Sequence, residues 1–245
     1  MKRTLTTRLL TIGLAALAAS GSTPAADGHD GPVVPKPYTT GATLTRSVQA
    51  SITPDKAIDI LKAGNARFAA DQPLHRTLQA QVKATALGQF PFASVVGCID
   101  SRAAPELVFD QGVGDLFVAR VAGNTVNPDI LGSLEYASKI AGSRLIVVLG
   151  HSSCGAIKGA CDDVKMGNLG TLHEKFKPAV AAASTPGERN SHNHAFVDEV
   201  TELNVRQVVA RIRAESPILK TLEDEGRIRI VGALYDTSSG KVSWF

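Results

Sequence analysis

Apolar positions recur along the chain with two periods, and their order predicts the architecture. Thr53-Pro54 offers an N-cap followed by proline at the first helical position. Ile58, Leu61 and Phe68 then share one face, which predicts a helix over 54–71. A second helix is predicted over 76–87. Phe92 to Ile99 (FASVVGCI) and Asp115 to Val121 (DLFVARV) are short apolar, β-branched runs and predict strands. Pro128 to Ala141 predicts a helix. Arg144 to Leu149 (RLIVVL) predicts a third strand, apolar almost throughout, as strands covered on both faces are. Helices follow over 155–165, 171–183, 194–214 and 216–225, with a polar loop from Ser184 to Asn193. Arg227 to Tyr235 closes as a fourth strand. Strands alternating with helices predict an α/β fold with a mainly parallel central β-sheet flanked by α-helices.

The first 51 residues have a different texture. Lys2, Arg3 and Arg8 precede a short apolar run from Leu9 to Ala19, and small residues continue through Ala26. That order predicts a secretory signal peptide over 1–26, and so a periplasmic or secreted protein. The apolar run is too short to cross about 30 Å of hydrocarbon, and no later run is long enough either. Residues 27–51 are rich in Gly, Pro, Ser and Thr and read as a linker or N-terminal arm, leaving 52–245 as one domain. Removing the leader takes three basic residues from the 26 Lys+Arg and none from the 23 Asp+Glu, so the formal charge falls from +3 to zero. No basic field remains to draw nucleic acid or a membrane surface. Three cysteines are too few for a disulfide scaffold.

Open parallel sheets place their sites just beyond the carboxyl ends of strands. After the first predicted strand comes Gly97-Cys98-Ile99-Asp100-Ser101-Arg102, and after the third Gly150-His151-Ser152-Ser153-Cys154-Gly155. Cys98, His151 and Cys154 make a three-ligand set suited to zinc, with a fourth position for water or a carboxylate. Calcium and magnesium prefer oxygen ligands. Apolar packing or a disulfide competes as a reading of the thiols, but their glycine and polar neighbours favour a site. Cys161 sits on a predicted helix and reads as a packed, inert thiol. His29, His75, His173, His192 and His194 lack a partner pattern, and the last two read as solvated. Asp100 and Arg102 reach the same site and suit a bidentate pair. Two tasks stay open for Asp100: to take the fourth metal position, or to pair with Arg102 and leave that position to water. Gly112-Val113-Gly114 lacks a third glycine and precedes a strand, which excludes a dinucleotide-binding loop.

These residues resemble the β-class carbonic anhydrases. The likeness runs through most of 54–245, in LKAGNARF (Leu61 to Phe68), Cys98-x-Asp100-Ser101-Arg102, RVAGN (Arg120 to Asn124), SLEYA (Ser133 to Ala137) and GHSSCGAIKG (Gly150 to Gly159). The resemblance implies reversible hydration of CO2 to bicarbonate and a proton, with one zinc per chain held by Cys98, His151 and Cys154. It implies Asp100 and Arg102 as a catalytic dyad, with Asp100 a fourth ligand in a closed state. Gln89 would hydrogen-bond substrate or bicarbonate, and Phe117, Ala122 and Tyr136 would line an apolar CO2 pocket. It further implies a homodimer or homotetramer with an N-terminal helical arm on the partner. Some bacterial relatives carry a tryptophan of an inhibitory bicarbonate site where this chain has Val95, so weaker bicarbonate inhibition is expected. Two other readings remain: a hydrolase of carbon disulfide or carbonyl sulfide on the same scaffold, and a non-catalytic secreted zinc-binding protein whose shell Asp100 closes.

Overall fold

The computed structural model describes residues 41–245. The expected signal peptide, His29 and the start of the expected linker lie outside the described residues. The apolar runs form β1 (Ala93–Gly97), β2 (Leu116–Arg120), β3 (Leu145–His151) and β4 (Arg229–Tyr235), joined by a short β5 (Val242–Trp244). Their order in the sheet is β2-β1-β3-β4-β5. β1 pairs parallel with β2 and β3, β3 parallel with β4, and only β5 runs antiparallel. The chain leaves β1 toward β2 on one side and then crosses to β3 on the other. The switch point therefore lies beyond the carboxyl ends of β1 and β3.

Successive strand residues face opposite ways, and each face has its own core. Ala93, Val95, Leu145, Val147 and Leu149 pack against Leu61 of α2 (Pro54–Ala69) and Val108 of α4 (Pro105–Val108), with α3 (Leu78–Thr85) between them in sequence. Val96, Ile146, Val148 and Ile230 pack against α5 (Pro128–Glu135), α8 (His194–Glu215) and α9 (Pro217–Asp224). A third cluster joins α6 (Gly155–Cys161) and α7 (Leu169–Ala182) to α8, and it contains Cys98, Cys154 and Cys161.

The mainly parallel α/β fold agrees with the sequence pattern, and the departures have local causes. Arg46–Ser51, within the stretch read as linker or arm, is a helix, α1. Its Gln49 is buried and donates to the Pro91 and Ala141 carbonyls at 2.7 and 2.8 Å. The predicted helix over 155–165 stops at Cys161, because Asp163 takes a left-handed φ of 50°. α5 continues as a π-helical turn over Tyr136–Ile140. β5 is three residues long and escapes pattern reading, yet Asn65 ties it to α2: its amide donates to the Gly240 carbonyl and accepts from the Val242 N–H, both at 2.8 Å.

Candidate metal centre

Cys98 leaves the end of β1 immediately after Gly97. His151 is the last residue of β3, which runs two residues past the predicted Leu149 because Gly150 and His151 stay in register with Leu234 and Tyr235 of β4. Cys154 caps α6 three residues on. One ligand atom from each of Cys98, His151 and Cys154 lies within 4.8 Å of the others, and all three residues are buried. The two sulfurs stand 4.0 Å apart, and both thiols are free. A disulfide needs about 2.05 Å. Two sulfurs sharing a tetrahedral zinc at about 2.3 Å each are about 3.8 Å apart.

The imidazole is oriented for the same purpose. His151 Nδ1 lies 2.9 Å from the Ser152 carbonyl, which only accepts, so Nδ1 carries the proton and Nε2 holds a lone pair. That Nε2 is buried with no hydrogen-bond partner among the described residues. A buried nitrogen lone pair beside two thiols free of disulfides is a donor set for a cation, and it fits a soft divalent ion.

The electrostatics point the same way. The Cys98 thiol is pulled down to about 4, first by the hydrogen bond from Cys154, then by His151 and by the Asp100 and Gly123 backbone N–H groups, against its burial. Its bond to Cys98 and its burial push the Cys154 thiol up. Burial likewise pushes the Cys161 thiol up, to about 11, which suits the packed role expected for it. The Gly123 N–H donates to Cys98 Sγ at 3.3 Å.

Asp100 and Arg102 sit on the turn leaving β1. The Arg102 guanidinium grips both carboxylate oxygens and holds the Asp100 carboxyl well below the usual carboxylate range. Of the two tasks left open for Asp100, the structure shows the pairing with Arg102. Arg120 fixes the turn from beneath, donating to the Cys98 and Asp100 carbonyls at 2.8 and 2.6 Å. Arg120 and Gly123 were visible only as parts of the RVAGN stretch, with no task attached.

The four residues expected around the substrate are divided. Ala122 follows β2 at the carboxyl end of the sheet, one residue before Gly123, whose N–H reaches Cys98 Sγ. Phe117 pairs with Ser94 near the amino end, and Tyr136 packs edge-on against Phe117 with ring centroids 6.5 Å apart. They line a cleft of about 470 Å³ with Ser94 and Asp129. Exposed Gln89 lies in the loop before β1, at the same amino end. Four residues of extended chain separate Ser94 from Cys98, about 13 Å. One protomer therefore does not bring Gln89, Phe117 and Tyr136 to its own metal group. Among the histidines, His75, His192 and His194 are exposed, and His173 is buried against Phe176.

Sheet order and a thiol–imidazole–thiol group at its switch point define an α/β protein built around a soft-metal site. The profile of the family described as carbonic anhydrase matches residues 93–242. Over 190 residues the chain is 39% identical to carbonic anhydrase 2 of Mycobacterium tuberculosis, an alignment covering 77% of this chain and 91% of that one. It is 38% identical over 195 residues to the carbonic anhydrase of Mycolicibacterium smegmatis, covering 77% and 92%. One of two tetrameric β-carbonic anhydrases of Sordaria macrospora matches its fold with a TM-score of 0.58 at 24% identity, covering 68% of this chain and 90% of that one. The chain belongs to the carbonic anhydrase family and is a lyase of that family, and its fold is that of β-carbonic anhydrases.

Proposed function

We propose that this protein catalyses the reversible hydration of CO2 to bicarbonate and a proton, at a zinc ion held by Cys98, His151 and Cys154. The observation that carries this reading is the buried, unpartnered Nε2 of His151 beside two free thiols 4.0 Å apart. When bound, zinc supplies acidity to a coordinated water, as it does in carbonic anhydrases with three histidine ligands.

The remaining work falls to side chains. Asp100, kept ionised by Arg102, accepts a hydrogen bond at Oδ2 from the attacking oxygen and turns that oxygen's lone pair toward CO2. It stays an acceptor, because its carboxyl is held too acidic to retain the proton, which leaves to solvent. Ala122 adds apolar surface next to the reacting atoms and keeps competing water away.

Gln89, Phe117 and Tyr136 serve the site from a second copy of the chain. The outer edge of β2 is unpaired within the described sheet, and its Leu116, Phe117 and Val118 are only partly buried. Edges of this kind are usually covered. A homodimer is therefore the working unit, with a homotetramer as a dimer of such dimers. Gln89 holds the oxygens of CO2 or bicarbonate, and the two rings shape the apolar pocket. The charged, exported-type leader supports action in the periplasm or outside the cell.

Metal analysis of the purified protein together with stopped-flow CO2 hydration tests the reading. One zinc per chain and rapid hydration are expected. A metal-free protein that reconstitutes no zinc, or a zinc-loaded one without hydration activity, overturns it.

A further inference from the structure

We propose that Asn204, on α8, is a positioning residue for the metal centre: it fixes the turn from which the Gly123 N–H donates to Cys98 Sγ. The inference rests on Cys98 being a metal ligand.

Gly123 lies in a short 3₁₀ turn, Ala122–Asn124, with φ 68° and ψ 24°. This left-handed backbone sends its two peptide groups in different directions. Its N–H points to the Cys98 sulfur at 3.3 Å, and its carbonyl accepts from Asn204 Nδ2 at 2.9 Å. The next residue, Asn124, is also left-handed at φ 44°, so the turn holds two such residues in succession. Glycine alone adopts either hand freely, and nothing in its own conformational preference selects this one. The Asn124 N–H closes the turn on the Val121 carbonyl at 2.9 Å, and contacts from outside the turn add to that hold.

Two side chains enclose it. Phe176 of α7 presses on Gly123 so closely that a Cβ there would lie 2.3 Å from its Cζ. Asn204 is 1% exposed and stands between the buried Val200 and Val208 on one face of α8. Burying an amide on such a face is costly unless it is hydrogen-bonded. Its bond crosses 81 residues to reach the Gly123 carbonyl. Fixing that carbonyl fixes the Gly123–Asn124 peptide plane, and the Gly123 φ of 68° and ψ of 24° relate it across Cα to the Ala122–Gly123 plane, whose N–H faces the sulfur. An N–H donor on a thiolate withdraws part of the charge that the sulfur gives to a metal, as outer hydrogen bonds do at metal sites generally. Asn204 thus tunes the sulfur through the backbone, without touching substrate or metal.

The test uses the full chain loaded with zinc, or with cobalt(II) as a spectroscopic substitute, and two variants. Asn204→Asp keeps the size and replaces the donor with oxygen, and Asn204→Leu removes the polar group. Both are expected to release zinc to a chromogenic chelator about tenfold faster, because the ligand loses its fixed orientation, and that loss outweighs the charge the sulfur regains. Both are also expected to move the thiolate-to-cobalt charge-transfer band to lower energy, because the sulfur regains charge. Val208→Ala, on the same helix face without a polar contact to the turn, is expected to melt at a lower temperature with band and release rate unchanged. Asn204 variants that only melt lower, with wild-type band and release rate, overturn the positioning role and leave the ligand reading intact. A wild-type cobalt protein with no thiolate band overturns the ligand reading itself. Should neither variant fold, NMR of the cadmium-loaded wild type decides. Couplings from the Gly123 N–H to cadmium and from Asn204 Nδ2 to the Gly123 carbonyl carbon are expected, and the absence of either overturns the inference.

Discussion

Arg102 holds Asp100 at both carboxylate oxygens, Nε to Oδ1 at 3.0 Å and Nη2 to Oδ2 at 2.8 Å, and its backbone N–H adds a third bond to Oδ1 at 3.0 Å. The grip leaves Oδ2 3.9 Å from His151 Nε2, beside the ligand group and outside it. The Arg102 side chain is 53% exposed and that of Asp100 17%, so the guanidinium shields a carboxylate turned inward toward the site. A planar fork matches both oxygens at once, which an ammonium does not.

Removing either member of this pair is expected to spare the metal and damage turnover. Asp100→Asn loses the acceptor and should lower kcat by about 10² or more, the scale of a positioned proton-handling group. Arg102→Ala frees the carboxylate to swing toward the ligand group, and Arg102→Lys should recover little of the loss, since it cannot bind both oxygens. Stopped-flow hydration and zinc content measured on the same samples check this. Near-normal turnover in Asp100→Asn rules the dyad out.

Cys98→Ser is expected to leave less than about a tenth of the zinc after dialysis, because a serine hydroxyl stays protonated where the thiolate did not. Cys161→Ser should keep the full complement, as its thiol lies in the apolar cluster with Phe176 and Ala179 rather than in the ligand group. Equal metal loss in the two variants contradicts the assignment.

What the sequence made legible follows from how local each signal is. β1 and β3 stand out because both their faces are covered, so nearly every side chain is apolar, and β4 stands out by its apolar run although it is only partly buried. Cys98 and Cys154 belong to compact motifs at the ends of parallel strands, and the switch-point rule brings such ends together. Gln49 and Asn204 left no trace, because a lone polar residue on a helix has no pattern. Their partners, Pro91 and Gly123, are 42 and 81 residues away. The division of Gln89, Phe117 and Tyr136 from Cys98 was equally invisible, since strand register is a property of pairing.

The loop from Ser184 to Asn193 gives a pH-dependent signature. Glu199 accepts from the Ser184 N–H and hydroxyl and the Thr185 N–H and hydroxyl. Those bonds, the Thr185 hydroxyl foremost, pull its carboxyl from 4.5 to about 2. A carboxyl depressed in the folded state contributes its full stability above pH 4.5 and loses it as the pH falls toward about 2. Glu199→Gln is therefore expected to melt below wild type at pH 6, with the gap closing between pH 4.5 and 2. A gap of constant size across that window refutes the stabilising role of these bonds.

Val95 is fully buried in β1, packed into the core shared with α2. Val95→Trp adds a large ring to that closed face, and overpacking of this kind typically costs about 1–3 kcal/mol. The expected result is a lower melting temperature with bicarbonate inhibition no stronger than wild type. Strong new inhibition in a stably folded variant shows that this position alone completes such a site.

The two-copy site makes a prediction that neither chain makes alone. Asp100→Asn disables the site on its own protomer, while Gln89→Ala disables the site on its partner. In a heterodimer of the two, one site lacks both groups and the other has both intact. Random pairing of equal amounts gives heterodimers as half of all dimers, so roughly one quarter of wild-type sites return from two inactive parents. Co-refolding the variants and measuring hydration reads this directly. If Gln89 served its own protomer, every site in every mixture would lack one group. Activity would then stay at the level of the parents.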